Sequence, residues 1–288
     1  MNKMQTIRIE NFNRSLSRVA FGGVIVSNER QEDANNYVAE AIDAGINYFD
    51  VAPTYSDAEE RLGPALKGKR NDIFLACKTE DRTRKGSQAL LEKSLKHLQT
   101  DYFDLYQLHA VYNLADVEQT FGPNGSFETY VRAKEQGYIK HIGFSAHSTE
   151  AALALMDYYN FDSIMFPFNF VSLLKNDYGS YVLKKALEKK MGIIGIKSMA
   201  LSVKQPGDDI KHPKAWYHPI EDFELAQSAV KYTLSKGVDV IVPPGDIHHF
   251  RWAVKILNDT HQTLTDEELS NLIAISKNTE PLFPLKAK

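Results

Sequence analysis

Hydrophobic and polar positions along this chain fall into alternating blocks. Short apolar runs recur at 19–26 (VAFGGVIV), 46–52 (INYFDVA), 73–78 (IFLACK), 102–109 (YFDLYQLH), 138–145 (YIKHIGFS), 161–169 (FDSIMFPFN), 192–197 (GIIGIK) and 238–244 (VDVIVPP). Several are apolar almost without interruption, which is the pattern of strands covered on both faces. The stretches between them carry a helical period. Helices are predicted over 33–44, with Val38, Ala41 and Ile42 on one side and Gly45 as the stop, and over 88–98, with Leu91, Leu95 and Leu98 together. Further helices are predicted over 127–136 before Gly137, over 149–158 behind Ser148, over 181–190 before Gly192 and over 223–235 before Gly237. Ser56 with Glu59, and Thr265 with Glu268, have the spacing of capping boxes.

Eight strands, each followed by a helix or a helix-sized insert, predict an α/β fold: a closed (β/α)8 barrel of TIM type, with residues 1–288 as one domain. Residues 6–19 (TIRIENFNRSLSRV) alternate weakly and suit an N-terminal β-hairpin over the barrel floor. An open doubly wound sheet is the alternative, but no G-x-G-x-x-G follows the first strand, which offers only Gly22 and Gly23. The longest polar, proline-containing stretch, 202–219, follows the seventh strand, and a loop of that length suggests a functional role.

Composition narrows the classes without choosing among them. With 43% hydrophobic and 25% charged residues and a formal net charge of −3, the chain has no basic excess for nucleic acid or an anionic membrane. The clusters at 67–70 and 82–85 are expected to be solvated. Cys77, the only cysteine, excludes a disulfide framework and a thiolate metal cluster and reads as core. The N-terminus lacks the apolar stretch of a signal peptide and no apolar run approaches a membrane span, so a cytoplasmic protein is expected.

The candidate chemistry sits where strands end. Asp50 closes INYFD, Lys78 closes IFLACK and His109 closes LYQLH, with Tyr55 in the loop after the first of these. A barrel gathers such residues at one mouth. A phenol is a poor acid at neutral pH. A nearby ammonium lowers its pKa, a carboxylate holds that ammonium, and an imidazole can orient a carbonyl oxygen. The set suits protonation of an oxygen gaining negative charge, as when a ketone or aldehyde accepts hydride. No side chain donates hydride, so a nicotinamide cofactor is implied.

With these residues in view, the chain resembles the aldo-keto reductases from its first strand to its C-terminal helices. GINYFDVAPTYSDAEERLGPAL is similar to that family's first signature, CKT and DYFDLYQLH follow in order, and KEQGYIKHIGFSAHS is similar to its G-K-I-R-x-I-G-V-S-N segment. The resemblance implies the (β/α)8 barrel and NAD(P)H-dependent reduction of a small-molecule carbonyl substrate. By position it implies Tyr55 as proton donor, Lys78 and Asp50 as the pair that tunes it, and His109 as the substrate-orienting group. It places Ser145 at the carboxamide, Met165 where a glutamine normally holds that group, and Lys197 where an aromatic residue stacks on the nicotinamide. Asn169, Ser198, Pro244, Gly245 and Arg251 complete the implied cofactor set, and the insert after Lys197 would close over the pyrophosphate. NADP(H) is the implied cofactor, with NAD(H) open because Asp246 opposes a 2′-phosphate. The variants match a subset of the family with a G-[FV]-S-[GA]-H segment and a lysine on the seventh strand, and the single cysteine excludes the iron–sulfur domain that some of that subset carry.

Two other classes compete. The apolar Met165 and Ala146 motivate a cofactor-bound sensor with little turnover. A metal-dependent lyase or hydrolase would draw on His212, His218, His248 and His249, whose scatter matches no recognisable ligand spacing, so no metal is expected.

Overall fold

A computed structural model of the chain describes residues 4–208, 211–259 and 263–283. Two strands come first, β1 (Thr6–Ile9) and β2 (Arg14–Ser17), paired antiparallel as the expected hairpin. The barrel strands follow as β3 (Phe21–Gly22), β4 (Tyr48–Asp50), β5 (Phe74–Thr79), β6 (Phe103–Val111), β7 (Ile139–Ala146), β8 (Ser163–Pro167) and β9 (Gly192–Ile196). A small hairpin, β10 (Ala200–Val203) with β11 (Tyr217–Pro219), interrupts the series before the last barrel strand, β12 (Val240–Val242).

The eight barrel strands form one parallel sheet in chain order. The ends meet where Val19 bridges Ile241, with Ala20 N donating to Ile241 O and Ile241 N donating to Arg18 O, both at 2.9 Å. The barrel is therefore closed and the doubly wound alternative falls away.

Around it run α1 (Gln31–Asp43), α2 (Ala58–Ala65), α3 (Arg84–His97), α4 (Leu114–Phe121), α5 (Phe127–Glu135), α6 (Thr149–Tyr158), α7 (Phe170–Asn176), α8 (Ser180–Glu188), α9 (Phe223–Ser235), α10 (Ile247–Asn258) and α11 (Asp266–Lys277). Ser148 caps α6 and the Thr265–Glu268 box caps α11, as the spacing predicts. Two expectations fail. Ser56 is left-handed at φ 54° and donates to Asn28 Oδ1, so α2 starts behind Asp57 instead. Gly192 lies inside β9, and Lys190, at φ 54°, makes the turn that ends α8. Helices α4 and α7 fall in stretches that the apolar pattern leaves as loops.

Period two sorts the strand residues. One inward set, Tyr48, Phe74, Ala76, Leu105, Met165, Ile194 and Val240, packs with Ile9, Phe12 and Leu16 of the hairpin and fills the lower barrel. Phe12 stacks within 4.8 Å of Phe74, which closes the floor. Continuing upward along the same faces, the next inward residues are Asp50, Lys78, Gln107 and Ser145, which gathers a carboxylate, an ammonium, an amide and a hydroxyl at the C-terminal mouth.

Candidate active site

The mouth opens into a cleft of about 630 Å3. Asp50, Tyr55, His109, Ser145, Met165, Lys197 and Gly245 all line it. Lys78 sits beneath, fully buried, and its ammonium donates to Asp50 Oδ2 and to Val51 O at 3.3 Å. The carboxylate's other oxygen accepts from Gln107 Nε2 at 3.1 Å. Register makes this possible: Asp50 pairs with Ala76 and Lys78 with Gln107, so the three side chains rise into one layer.

Burial disfavours the Lys78 ammonium, but Asp50 and the Tyr55 phenol more than offset that, and its pKa rises. Burial likewise lifts the Asp50 carboxyl above its ordinary range, against the pull of Lys78 and Gln107. With Lys78 directly bonded to it, the pair is held as an ion pair at neutral pH.

Tyr55 lies beside this pair, its ring centroid 5.3 Å from Lys78 Nζ. Burial raises its phenol pKa, while the Lys78 charge lowers it without reversing the shift. The ammonium thus acts in the direction the sequence suggests, but the net direction is upward, because the same barrel wall that buries Lys78 also desolvates the phenol. Tyr55 therefore keeps its proton at neutral pH. Its ring meets His109 edge-on at 5.7 Å, and the Thr54 hydroxyl lies 3.4 Å from His109 Nδ1. Burial, then Lys78, pushes the His109 pKa well below the ordinary histidine value, so its imidazole is neutral.

Arg82, expected on the surface, is buried: its guanidinium donates to His109 O at 2.6 Å and to Thr79 O at 3.3 Å and holds the end of β6 in place. Gln107, Thr54 and Arg82 are site residues that residue-type reasoning missed. The signal for Gln107 was its position two before His109 on an inward-facing strand edge.

The opposite wall is built differently. Ser145 Oγ accepts from Ala110 N at 3.4 Å, while Met165 beside it on β8 has no donor. Lys197 is a non-glycine residue at φ 67°, a conformation held by Asn169, whose Nδ2 donates to Lys197 O at 3.0 Å and to Ala200 O at 2.6 Å. Asn169 Oδ1 accepts from Val171 N and Ser172 N, so its amide is wholly used within the backbone and it does not line the cleft. Ser198 is buried below, its hydroxyl without a partner. Burial lowers the Lys197 pKa to about 8, and its ammonium lies over the rings of Tyr217, at 4.4 Å, and Trp216, at 5.3 Å. Pro244 is buried, and Gly245 packs so closely on Val24 that a Cβ there would overlap it. Arg251 lies away from the cleft, its guanidinium paired with both oxygens of Glu40 at 2.7 and 2.8 Å. Exposed Tyr112 and Trp216 and buried Tyr217 line the cleft, whereas Phe121 packs on Phe127 and Phe170 is core. His147 is sandwiched between Tyr112 and Phe283, each at 5.4 Å, and burial lowers its pKa to about 4. Residues 284–288, part of the expected substrate-determining C-terminus, lie outside the described residues. The scattered histidines separate: His218 pairs with Asp208 at 2.7 Å, His248 lies against Trp252, and His212 and His249 converge on Asp246.

Comparison with known proteins agrees with the fold. The family model described as Aldo/keto reductase family matches residues 18–276. The chain is 27% identical over 296 aligned residues to "Uncharacterized oxidoreductase YqkF" of Bacillus subtilis (strain 168), covering 91% of this chain and 93% of that protein. It is 34% identical over 145 residues to "Aldo-keto reductase YhdN" of the same organism, covering 46% of this chain and 42% of that protein. Among solved structures, the holo form of "aldo-keto reductase AKR11C1" from Bacillus halodurans superposes with a TM-score of 0.73 at 22% identity, over 97% of this chain and 98% of that one. No helix among the described residues is long and apolar enough to cross a membrane.

Proposed function

The chain belongs to the aldo/keto reductase family, and from that premise we propose that it reduces an aldehyde or ketone to the alcohol, with Tyr55 as proton donor and a reduced nicotinamide dinucleotide as cofactor. The observation that carries the reading is the buried Asp50–Lys78 pair beside Tyr55 and a neutral His109 at the mouth of the barrel.

The residues present suit such a cofactor. The cleft runs from Tyr55 past Ser145 and Met165 to Gly245. Ser145 offers a hydroxyl to an amide, and the Lys197 ammonium, set against aromatic rings, suits an anionic ligand. Ser145, Met165, Lys197 and Gly245 would hold the dinucleotide, which when bound would supply the hydride.

The chain's own residues handle the proton. His109, with Nδ1 turned to Thr54, presents Nε2 to the carbonyl oxygen and fixes its position. Tyr55, protonated at neutral pH, passes its hydroxyl proton to that oxygen as negative charge builds there. Lys78 stabilises the phenolate left behind, and Asp50, tied to Gln107, keeps the ammonium in place. The aromatic rim of Tyr112, Trp216 and Phe283 favours carbonyl compounds with an apolar substituent.

Calorimetric titration with NADPH and NADH, followed by absorbance assays with a panel of aldehydes, tests the proposal. We expect binding of at least one reduced form and loss of the reduced-nicotinamide absorbance on adding aldehyde. Met165 and Ala146 contribute no hydrogen bond to a carboxamide, and this favours a second reading, a cofactor-binding sensor. Tight binding without turnover on any carbonyl would select that reading instead.

A further inference from the structure

Behind the cleft, past Gly245, lies a smaller cavity of about 200 Å3 that shares Pro213, Lys214 and Gly245 with it. One side is a strap formed by residues 211–215, which leads into β11; the other is the start of α10. At its edge, potential ligand atoms of His212 and Asp246, which line the cavity, and of His249, which lines the adjoining hollow with His212, lie within 4.8 Å of one another.

Their hydrogen bonding is unusual. His249 is 1% exposed, with Nε2 3.0 Å from Ile220 O and Nδ1 2.8 Å from Asp246 Oδ2. Both neighbours are acceptors, so each ring nitrogen points at an oxygen and Nδ1 turns toward the Asp246 carboxylate. His212 approaches more loosely: Nδ1 lies 3.7 Å from the same Asp246 oxygen and Nε2 lies 3.6 Å from Glu221 Oε1. Two nitrogens and a carboxylate oxygen, each able to offer a lone pair, therefore gather within 4.8 Å of one another. Each histidine's far nitrogen meets a carbonyl or carboxylate, the partners that orient metal-bound imidazoles. The backbone is already set: Asp246 caps α10 through His249 N at 2.9 Å, and Lys204 Nζ holds His212 O at 2.7 Å. A tetrahedral ion with bonds of about 2.1 Å spaces its ligands about 3.4 Å apart, between the two observed separations.

We propose that His212, Asp246 and His249 bind one divalent transition-metal ion of the Zn2+ type, with water as its fourth ligand, fastening the strap to the barrel beside the cleft. Mixed imidazole and carboxylate ligands suit Zn2+ and disfavour Mg2+ or Ca2+. A metal ion takes the imidazole nitrogens only in their deprotonated form, so binding competes with acid. The charged groups around the cluster are Glu221, bound to Lys211 at 3.0 Å, and Lys214, bound to Glu29 at 2.7 Å, and the ring of His248 lies beside them. His218 and His248, the other histidines of this region, take no part.

The test uses the full chain, stripped with chelator and dialysed, and Zn2+ alone against a chromophoric chelator. One ion per chain is expected near pH 7.5, weakening as the pH falls. His212→Gln, on the strap, should weaken binding more than about tenfold, as should His249→Gln, while His218→Gln and His248→Gln leave it unchanged. The absence of stoichiometric binding at about 100 μM Zn2+, or binding retained in both His212→Gln and His249→Gln, would overturn the proposal. Metal affinity is read without turnover, so failure here is separable from failure of the reductase reading.

Discussion

The two walls of the cleft are held in place by different means. On the side of β4, β5 and β6, side chains bond to one another: Lys78 to Asp50, Gln107 to Asp50, Thr54 to His109, and Arg82 to the backbone of His109. On the side of β7, β8 and β9, Ser145, Met165 and Lys197 make few polar contacts, and packing and the strap set their positions. The first wall is organised before anything binds, as acid–base chemistry requires; the second keeps its polar capacity for a ligand. Substitutions on the first wall should therefore damage stability and turnover together, and those on the second should damage binding alone.

The largest expected effect is at Lys78. Lys78→Met leaves Asp50 buried without its counter-charge, and we expect a loss of about 3–5 kcal/mol in denaturant unfolding, together with loss of turnover. Lys197→Met should leave the melting temperature within a few degrees of wild type and weaken reduced-nicotinamide binding about ten- to hundredfold by calorimetry. If it destabilises the chain as Lys78→Met does, the contrast between the walls collapses.

A smaller effect comes from His147. Its folded pKa of about 4 lies below the ordinary 6.5, so its contribution to stability is full above pH 6.5 and fades as the pH falls toward 4. Between pH 7 and 5 this should cost about 1–2 kcal/mol, and His147→Gln should flatten that part of a urea-midpoint profile. The smallest effect sharpens the map: Arg251→Ala should change cofactor affinity less than about twofold, because Arg251 is committed to Glu40 outside the cleft.

The same contrast explains what was legible beforehand. The barrel strands and the first wall could be read because each site residue ends an apolar run, and register lifts such residues to one mouth. Gln107 could have been read from the same period. The second wall was harder. Arg251 lies near Gly245 in sequence, yet α10 turns it toward Glu40, and Asn169 spends its amide on backbone groups. Arg82 reads as a surface charge until the fold places the His109 carbonyl before it. His212 and His249 stand 37 positions apart in sequence, and only the strap's path over α10 brings both to Asp246. Local period and residue type reveal what one strand does; they say little about contacts that a loop makes with a distant helix.

The most direct test of the central claim is a single comparison at Tyr55. Wild type and Tyr55→Phe are each loaded with NADPH or NADH, the dissociation constant is measured, and absorbance is followed after adding aldehyde. We predict unchanged cofactor affinity and a fall in turnover of about 100- to 10,000-fold for the variant. Turnover close to wild type in Tyr55→Phe would contradict the assignment of the phenol as the proton donor.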